Sequence, residues 1–220
     1  AKQRVKGYVP WRRADAGRID RFAAGFLLSP PEASTMSKRL FVSVDLDGLA
    51  EEVEVVQELF EGASGLNFVD PGQAHVTLKF LGDTDDERVP HLVEELEAAV
   101  EEGGVAPFEA SFGGLGVFPS LEYISVVWLG IREGGEQLTA LHEAIEARAV
   151  DLGFDPEEHD FTPHVTLARM NHAGGKELVQ DIVEERDPDA GSLQVEEIRL
   201  TESVLTESGP RYSTLERIEL

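Results

Sequence analysis

Residues 75–78 read His75-Val76-Thr77-Leu78, and 89 positions later residues 164–167 read His164-Val165-Thr166-Leu167. Both copies lie in predicted strands. Ala74 to Leu81 alternates strictly, and Phe161 to Met170 has the same extended character. Each copy follows a turn containing proline and a segment containing a helix. In a strand, residues two apart project from one face. His75 and Thr77 therefore point together, as do His164 and Thr166, while Val76, Leu78, Val165 and Leu167 point into the opposite layer. Two such strands facing across a cleft surround one small anion with two imidazoles and two hydroxyls. Imidazoles titrate near neutrality and share acid and base duties; hydroxyls hold phosphate oxygens.

Outward from the tetrads, strands and helices alternate. Leu40 to Leu46 is a compact strand, and Val53, Val56, Leu59 and Phe60 recur at helical spacing before Gly62 and Gly65. Asn67 to Asp70 is extended, and Pro71-Gly72 turns the chain. Asp83 to Asp86 offers caps for a helix buried through Leu92, Val93, Leu96 and Val100, with Pro90 tolerable in its first turn. Strands are expected around Phe108 to Phe112 and Tyr123 to Gly130, separated by a Gly-rich bend ending at Phe118-Pro119. Gln137 to Leu152 and a segment through Leu178 and Ile182 read as helices. Leu193 to Leu205 and Tyr212 to Leu220 have hairpin character around Ser208-Gly209-Pro210. No dinucleotide-type glycine fingerprint or parallel-sheet run is present. The class is α+β.

The 220 residues carry 19 basic and 43 acidic groups, a formal charge of −24. That balance argues against a DNA-coating protein or a binder of anionic membranes. The absence of cysteine excludes a disulfide scaffold, a Cys-ligated zinc site and a thiol nucleophile. The longest apolar stretches fall far short of a bilayer span, and a soluble, cytoplasmic protein is expected. Residues 1–35 hold seven basic and three acidic groups, net +4; residues 36–220 hold 12 and 40, net −28. The basic segment reads as a disordered N-terminal extension rather than a transit peptide, and 36–220 as the folded domain, which a chain beginning at Met36 should retain. Carboxylates spread over the whole domain, with three lysines, suggest a halophilic protein in a salt-rich cytoplasm.

The paired H-x-T-L motifs resemble those of the 2H phosphoesterase superfamily, in particular the RNA 2′,3′-cyclic phosphodiesterases historically called 2′-5′ RNA ligases. Arg39-Leu40-Phe41-Val42, Leu78-Lys79-Phe80-Leu81-Gly82, Phe118-Pro119 and Thr166-Leu167-Ala168-Arg169 are similar to family features, and the likeness spans residues 37 to 220. It implies two pseudo-symmetric α+β lobes, each an antiparallel sheet with helices, around an active cleft. It further implies hydrolysis of a terminal 2′,3′-cyclic phosphate on RNA to a 2′-phosphate. His164 would be the base, His75 the acid, and Thr77 and Thr166 the phosphate binders. No metal or other cofactor is called for, and a monomer is expected. The rival readings are 2′-5′ RNA ligation by the reverse reaction and a noncatalytic RNA-end or nucleotide-binding module.

Two cations and an aromatic are auxiliary candidates. Lys79 continues the face of His75 and Thr77 and could supply positive charge for phosphate. Strict alternation puts Arg169 opposite His164, so it contributes only if the strand bulges. Phe118 could stack on a nucleobase. His91, His142, His159 and His172 lack a matching constellation and read as structural or solvated, and a metal site from His159, His164 and His172 lacks a known ligand spacing.

Overall fold

The computed structural model describes residues 37–207 and 209–220; the N-terminal extension lies outside the described residues. Five strands and two helices lead up to the third helix: β1 (Ser37–Asp45), α1 (Ala50–Glu58), β2 (Leu66–Phe68), β3 (His75–Asp85), α2 (Val89–Gly103), β4 (Phe108–Ser120) and β5 (Tyr123–Glu133). Then come α3 (Gly135–Asp151), β6 (Val165–Met170), α4 (Lys176–Glu185), β7 (Asp189–Val195), β8 (Glu197–Thr206) and β9 (Gly209–Glu219). The strands form one antiparallel sheet in the order β7-β4-β5-β6-β3-β1-β8-β9, with β2 beside β6.

That order is two similar halves laid end to end. In one, β3 is followed by β1, β8 and β9; in the other, β6 is followed by β5, β4 and β7. They meet where β3 pairs with β6, at Val76 opposite Val165. Helices cover one face. α2 and α3 pack together, with α3 against β3 and α2 against β9, while α1 lies against β6 and β7 and α4 against β4. Each tetrad thus rests on the other half's preceding helix in chain order: β3 on α3, and β6 on α1. Val76, Leu78, Val165 and Leu167 are all buried in this layer with Val53, Val56, Leu141 and Ile145. Full burial of each such side chain contributes about 1.5–3 kcal/mol.

Several sequence expectations change. The Gly-rich stretch is no bend but the interior of β4. The register steps from Phe112 opposite Ile131 to Leu115 opposite Leu129, so Gly113 and Gly114 form a bulge. Gly114 takes φ +76° there, which a side chain would strain. Leu193 to Leu205 is two strands, β7 and β8, which pair with β4 and β1 at opposite ends of the sheet. Asp83 belongs to β3, Asp85 ends that strand and is the N-cap position of a short 3-10 turn (Asp86–Arg88) without a side-chain cap bond, and Pro90 does sit in the first turn of α2.

Lys79 is the main correction. In β3 the alternation breaks immediately after the tetrad, since Leu78 and Lys79 are both buried and Phe80 is exposed. Thr77 pairs with Ser43 and Lys79 with Val42, leaving Leu78 as the extra residue of a bulge. Lys79 is thereby turned away from the face of His75 and Thr77 and under α3, where it is 1% exposed. Its Nζ donates to the Asp155 carbonyl at 2.7 Å and pairs with Glu146 at 2.7 Å and Glu157 at 3.6 Å. Burial pushes the Glu146 carboxyl up, but Lys79 together with the Glu157 N–H outweighs it and holds the group below the usual range.

Lys79→Met keeps the length of the buried chain and strands Glu146. The expected loss is about 2 kcal/mol of unfolding free energy, less than for a fully buried pair because both carboxylates reach water. KM for a phosphate substrate should not move. Chemical denaturation and steady-state kinetics check both, and unchanged stability with a raised KM would restore Lys79 to the site.

Candidate active site

His75 opens β3 directly after a short turn, Pro71–Gln73, that Asp70 caps by accepting from the Gly72 N–H at 3.0 Å. His164 immediately precedes β6 and follows Pro163. The two rings are held in the same way. His75 Nδ1 lies 2.9 Å from the Gln73 carbonyl, and His164 Nδ1 lies 2.7 Å from the Thr162 carbonyl, each two residues back. A carbonyl only accepts, so Nδ1 carries the proton in both rings and Nε2 is left for chemistry. Neither Nε2 has a partner among the described residues, and neither do the hydroxyls of Thr77 and Thr166.

The pairing of Val76 with Val165 sets the relation between the tetrads. One step to either side in an antiparallel pair puts His75 next to Thr166 and Thr77 next to His164. These four side chains share the face opposite the helices and are all half-buried, whereas the intervening valines are fully buried. The two imidazoles and two hydroxyls thus lie on neighbouring strands of one sheet.

Aromatic rings wall each imidazole. His75 lies 5.0 Å from Phe41 and 5.1 Å edge-on from Tyr212; His164 lies 4.9 Å edge-on from Phe118 and 6.1 Å from Trp128. Trp128 fits because Gly116, its partner across β4 and β5, has no side chain; a Cβ there would fall 2.1 Å from the indole. Phe118 is thus a wall for His164. Tyr212 and Trp128 carried no local signal, since only the register of β9 and β5 brings them here. A cavity of about 180 Å³ opens beside His75, lined by Phe41, Asp45, Gln73, Arg199 and Tyr212 among others. A larger groove, about 690 Å³, runs along the start of α3; it holds no tetrad residue, and Glu133, Glu136 and Glu143 line it.

Charge separates the candidate cations. Arg199 faces the same cavity but is bound to Asp45 at 2.8 Å and to Asp47 and Glu197, so its charge is already neutralised. Arg169 is different. Leu167 and Ala168 are both buried, and Thr166 pairs with Trp128 while Ala168 pairs with Val127, which leaves Leu167 as the extra residue of a bulge. The bulge brings exposed Arg169 to the side of His164 and Thr166, and no described carboxylate pairs with it. Burial lowers the titration of both imidazoles, and Arg169 lowers each further. Asp45 acts in the opposite sense on His75 alone, while the charge of His75 works against protonation of His164. The remaining histidines stand apart. His142 is buried with Nδ1 2.7 Å from the Leu78 carbonyl and its ring stacked on Phe161 at 4.1 Å, while His91, His159 and His172 are exposed.

Comparison with known proteins agrees with this geometry. The family profile described as the 2′-5′ RNA ligase superfamily matches residues 46–206. A protein of Methanothermobacter thermautotrophicus named RNA 2′,3′-cyclic phosphodiesterase is 35% identical over 188 residues, covering 84% of this chain and 100% of its own. Its namesake in Archaeoglobus fulgidus is 36% identical over 183 residues, 82% and 99% of the two chains. Among solved structures, E. coli LigT complexed with 3′-AMP superposes with a TM-score of 0.68 at 26% identity, over 84% of this chain and 99% of that one. With two tetrads on one sheet face and near full-length relatives on both counts, the chain belongs to the 2′-5′ RNA ligase superfamily.

Proposed function

We propose that this protein hydrolyses the 2′,3′-cyclic phosphate at an RNA 3′ end and leaves a 2′-phosphate. The observation that carries the reading is the pair of imidazoles with fixed tautomers and free Nε2 atoms, set beside two free hydroxyls across the Val76–Val165 pair. His164 Nε2 takes the proton of a water whose oxygen attacks phosphorus. The bond from phosphorus to the 3′ oxygen breaks, and His75, which enters the step as the imidazolium, gives that oxygen its Nε2 proton and keeps the Nδ1 proton on the Gln73 carbonyl. Asp45 favours the charged form on His75 only, which supports this division of roles. Thr77, Thr166 and Arg169 donate to the nonbridging oxygens as charge builds in the pentavalent state.

The surrounding carboxylates bear on the substrate. A domain of net −28 repels long duplexes. A single-stranded end whose phosphate enters the local field of Arg169 is the better fit. Water at cellular concentration favours hydrolysis over ligation, and a chain with a full catalytic set is more than a binding module. The protein works as a monomer in a salt-rich cytoplasm, in RNA processing. Among the described residues, no helix is long and apolar enough to cross a membrane.

His75→Ala and His164→Ala are each expected to lower kcat about a hundredfold or more. The double variant should be little worse than either, since both act in one proton-transfer unit. Replacing the 3′ bridging oxygen of the cyclic phosphate by sulfur gives a leaving group that needs no proton. It should partly rescue His75→Ala and not His164→Ala; rescue of the second alone would exchange the roles.

Stability should follow pH through the same rings. Both imidazoles lie below the ordinary value of 6.5 when folded, so as pH falls the unfolded chain takes up protons first. Their contribution is complete above about 6.5 and declines below it. Between about pH 7.5 and about pH 5.5, the wild type should lose more unfolding free energy than the variant carrying His75→Gln and His164→Gln. Equal losses would mean that burial does not depress these groups.

A further inference from the structure

We propose that Gln57, on the helix side of the sheet, is a positioning residue for Arg169: by holding the bulge at Leu167 it keeps the guanidinium on the side of the two histidines. The inference rests on the functional reading above, in which Arg169 meets the phosphate. With unbroken alternation after Thr166, Ala168 would share the site face and Arg169 would point toward the helices. The extra residue Leu167 reverses that order.

A bulge disrupts the ladder, and at this one the Leu167 carbonyl takes a side-chain donor in addition to a backbone one. Gln57 sits on α1 between the core positions Val53 and Phe60 and is itself 7% exposed. Its Nε2 donates to the Leu167 carbonyl at 3.0 Å and to the Val69 carbonyl at 2.9 Å, and the Val69 N–H donates to the same Leu167 oxygen at 3.0 Å. Both amide protons are used to fasten the bulge to the chain leaving β2. The other half repeats the arrangement with different residues. There the bulge falls on Leu78, the same letter of the tetrad, and the carbonyl accepts from His142, also 7% exposed, on α3. A buried polar side chain from a helix thus marks the same backbone position twice.

The two halves also show what a bulge decides. Beyond Leu78 it turns Lys79 inward and Phe80 outward; beyond Leu167 it turns Ala168 inward and Arg169 outward. The second half is the one that delivers a cation to the site. Among the described residues the Gln57 side chain hydrogen-bonds only to the Val69 and Leu167 carbonyls, so its influence on phosphate passes through the strand.

The test is a double-mutant cycle on the full chain with 2′,3′-cyclic AMP. Arg169→Ala is expected to raise KM about tenfold, the loss of a charged hydrogen bond. Gln57→Met, which preserves shape without donors, should raise KM nearly as much, and the double variant should be no worse than Arg169→Ala alone. Gln57→His, the residue used in the other half, should restore KM. If Gln57→Met does not fold, Gln57→Asn, one methylene short of both carbonyls, is expected to give the same KM. A purely stabilising Gln57 would leave KM within twofold in the folded variants or give effects that multiply, and either result overturns the proposal. Failure of the functional reading would show separately, as a wild type without turnover; the cycle is then read from the affinity for inorganic phosphate.

Discussion

The pairing of Val76 with Val165 is the constraint from which the site follows. Because side chains in a strand alternate, burying these two valines against the helices forces the residues on either side onto the opposite face. Because the strands run antiparallel, each histidine is delivered beside the other strand's threonine. A slip of one residue at this join would bury the imidazoles and expose the valines. Full burial of both valines, and of Leu78 and Leu167 beyond them, makes that slip costly. The same hydrophobic layer that holds the halves together therefore sets the relative placement of the two histidines.

A second theme is how an acidic protein makes room for an anion. Most carboxylates are solvated, and near the cavity Asp45, Asp47 and Glu197 share Arg199, with Arg217 also on Glu197, so their negative charge is reduced but not cancelled. Lys79 is taken inward and matched to Glu146. Arg169 has no carboxylate partner among the described residues, and it stands beside two rings whose titration burial lowers. The resulting field is local, and it suits a compact phosphate better than a long duplex. Aromatic walls add desolvation, which strengthens each of these interactions.

Much of this was legible in the sequence. The tetrads, their strands and the shared faces of His75 with Thr77 and His164 with Thr166 came from period-two patterning. The helices came from apolar spacing and terminal glycines. The bulges were not legible, since local pattern does not show which backbone carbonyl meets a donor from a distant element: Leu78 meets His142, and Leu167 meets Gln57 and the Val69 N–H. For that reason alternation misplaced Lys79 and left Arg169 conditional. Gln57 had one available signal, a polar residue within the apolar stripe of α1. The division of Leu193 to Leu205 into two strands at opposite ends of the sheet depends on the partners β4 and β1, which local pattern does not encode.

In the proposed reaction, two imidazoles on one sheet face open a cyclic phosphate by delivering water at one side and a proton to the 3′ oxygen at the other. Identification of the product isomer tests it most directly. The full chain would be incubated with 2′,3′-cyclic AMP in high salt with a chelator, and the nucleotide products resolved by phosphorus NMR. Turnover that the chelator leaves intact, with adenosine 2′-monophosphate as the product, is expected. Formation of the 3′-monophosphate, or no turnover by the folded protein, would contradict it.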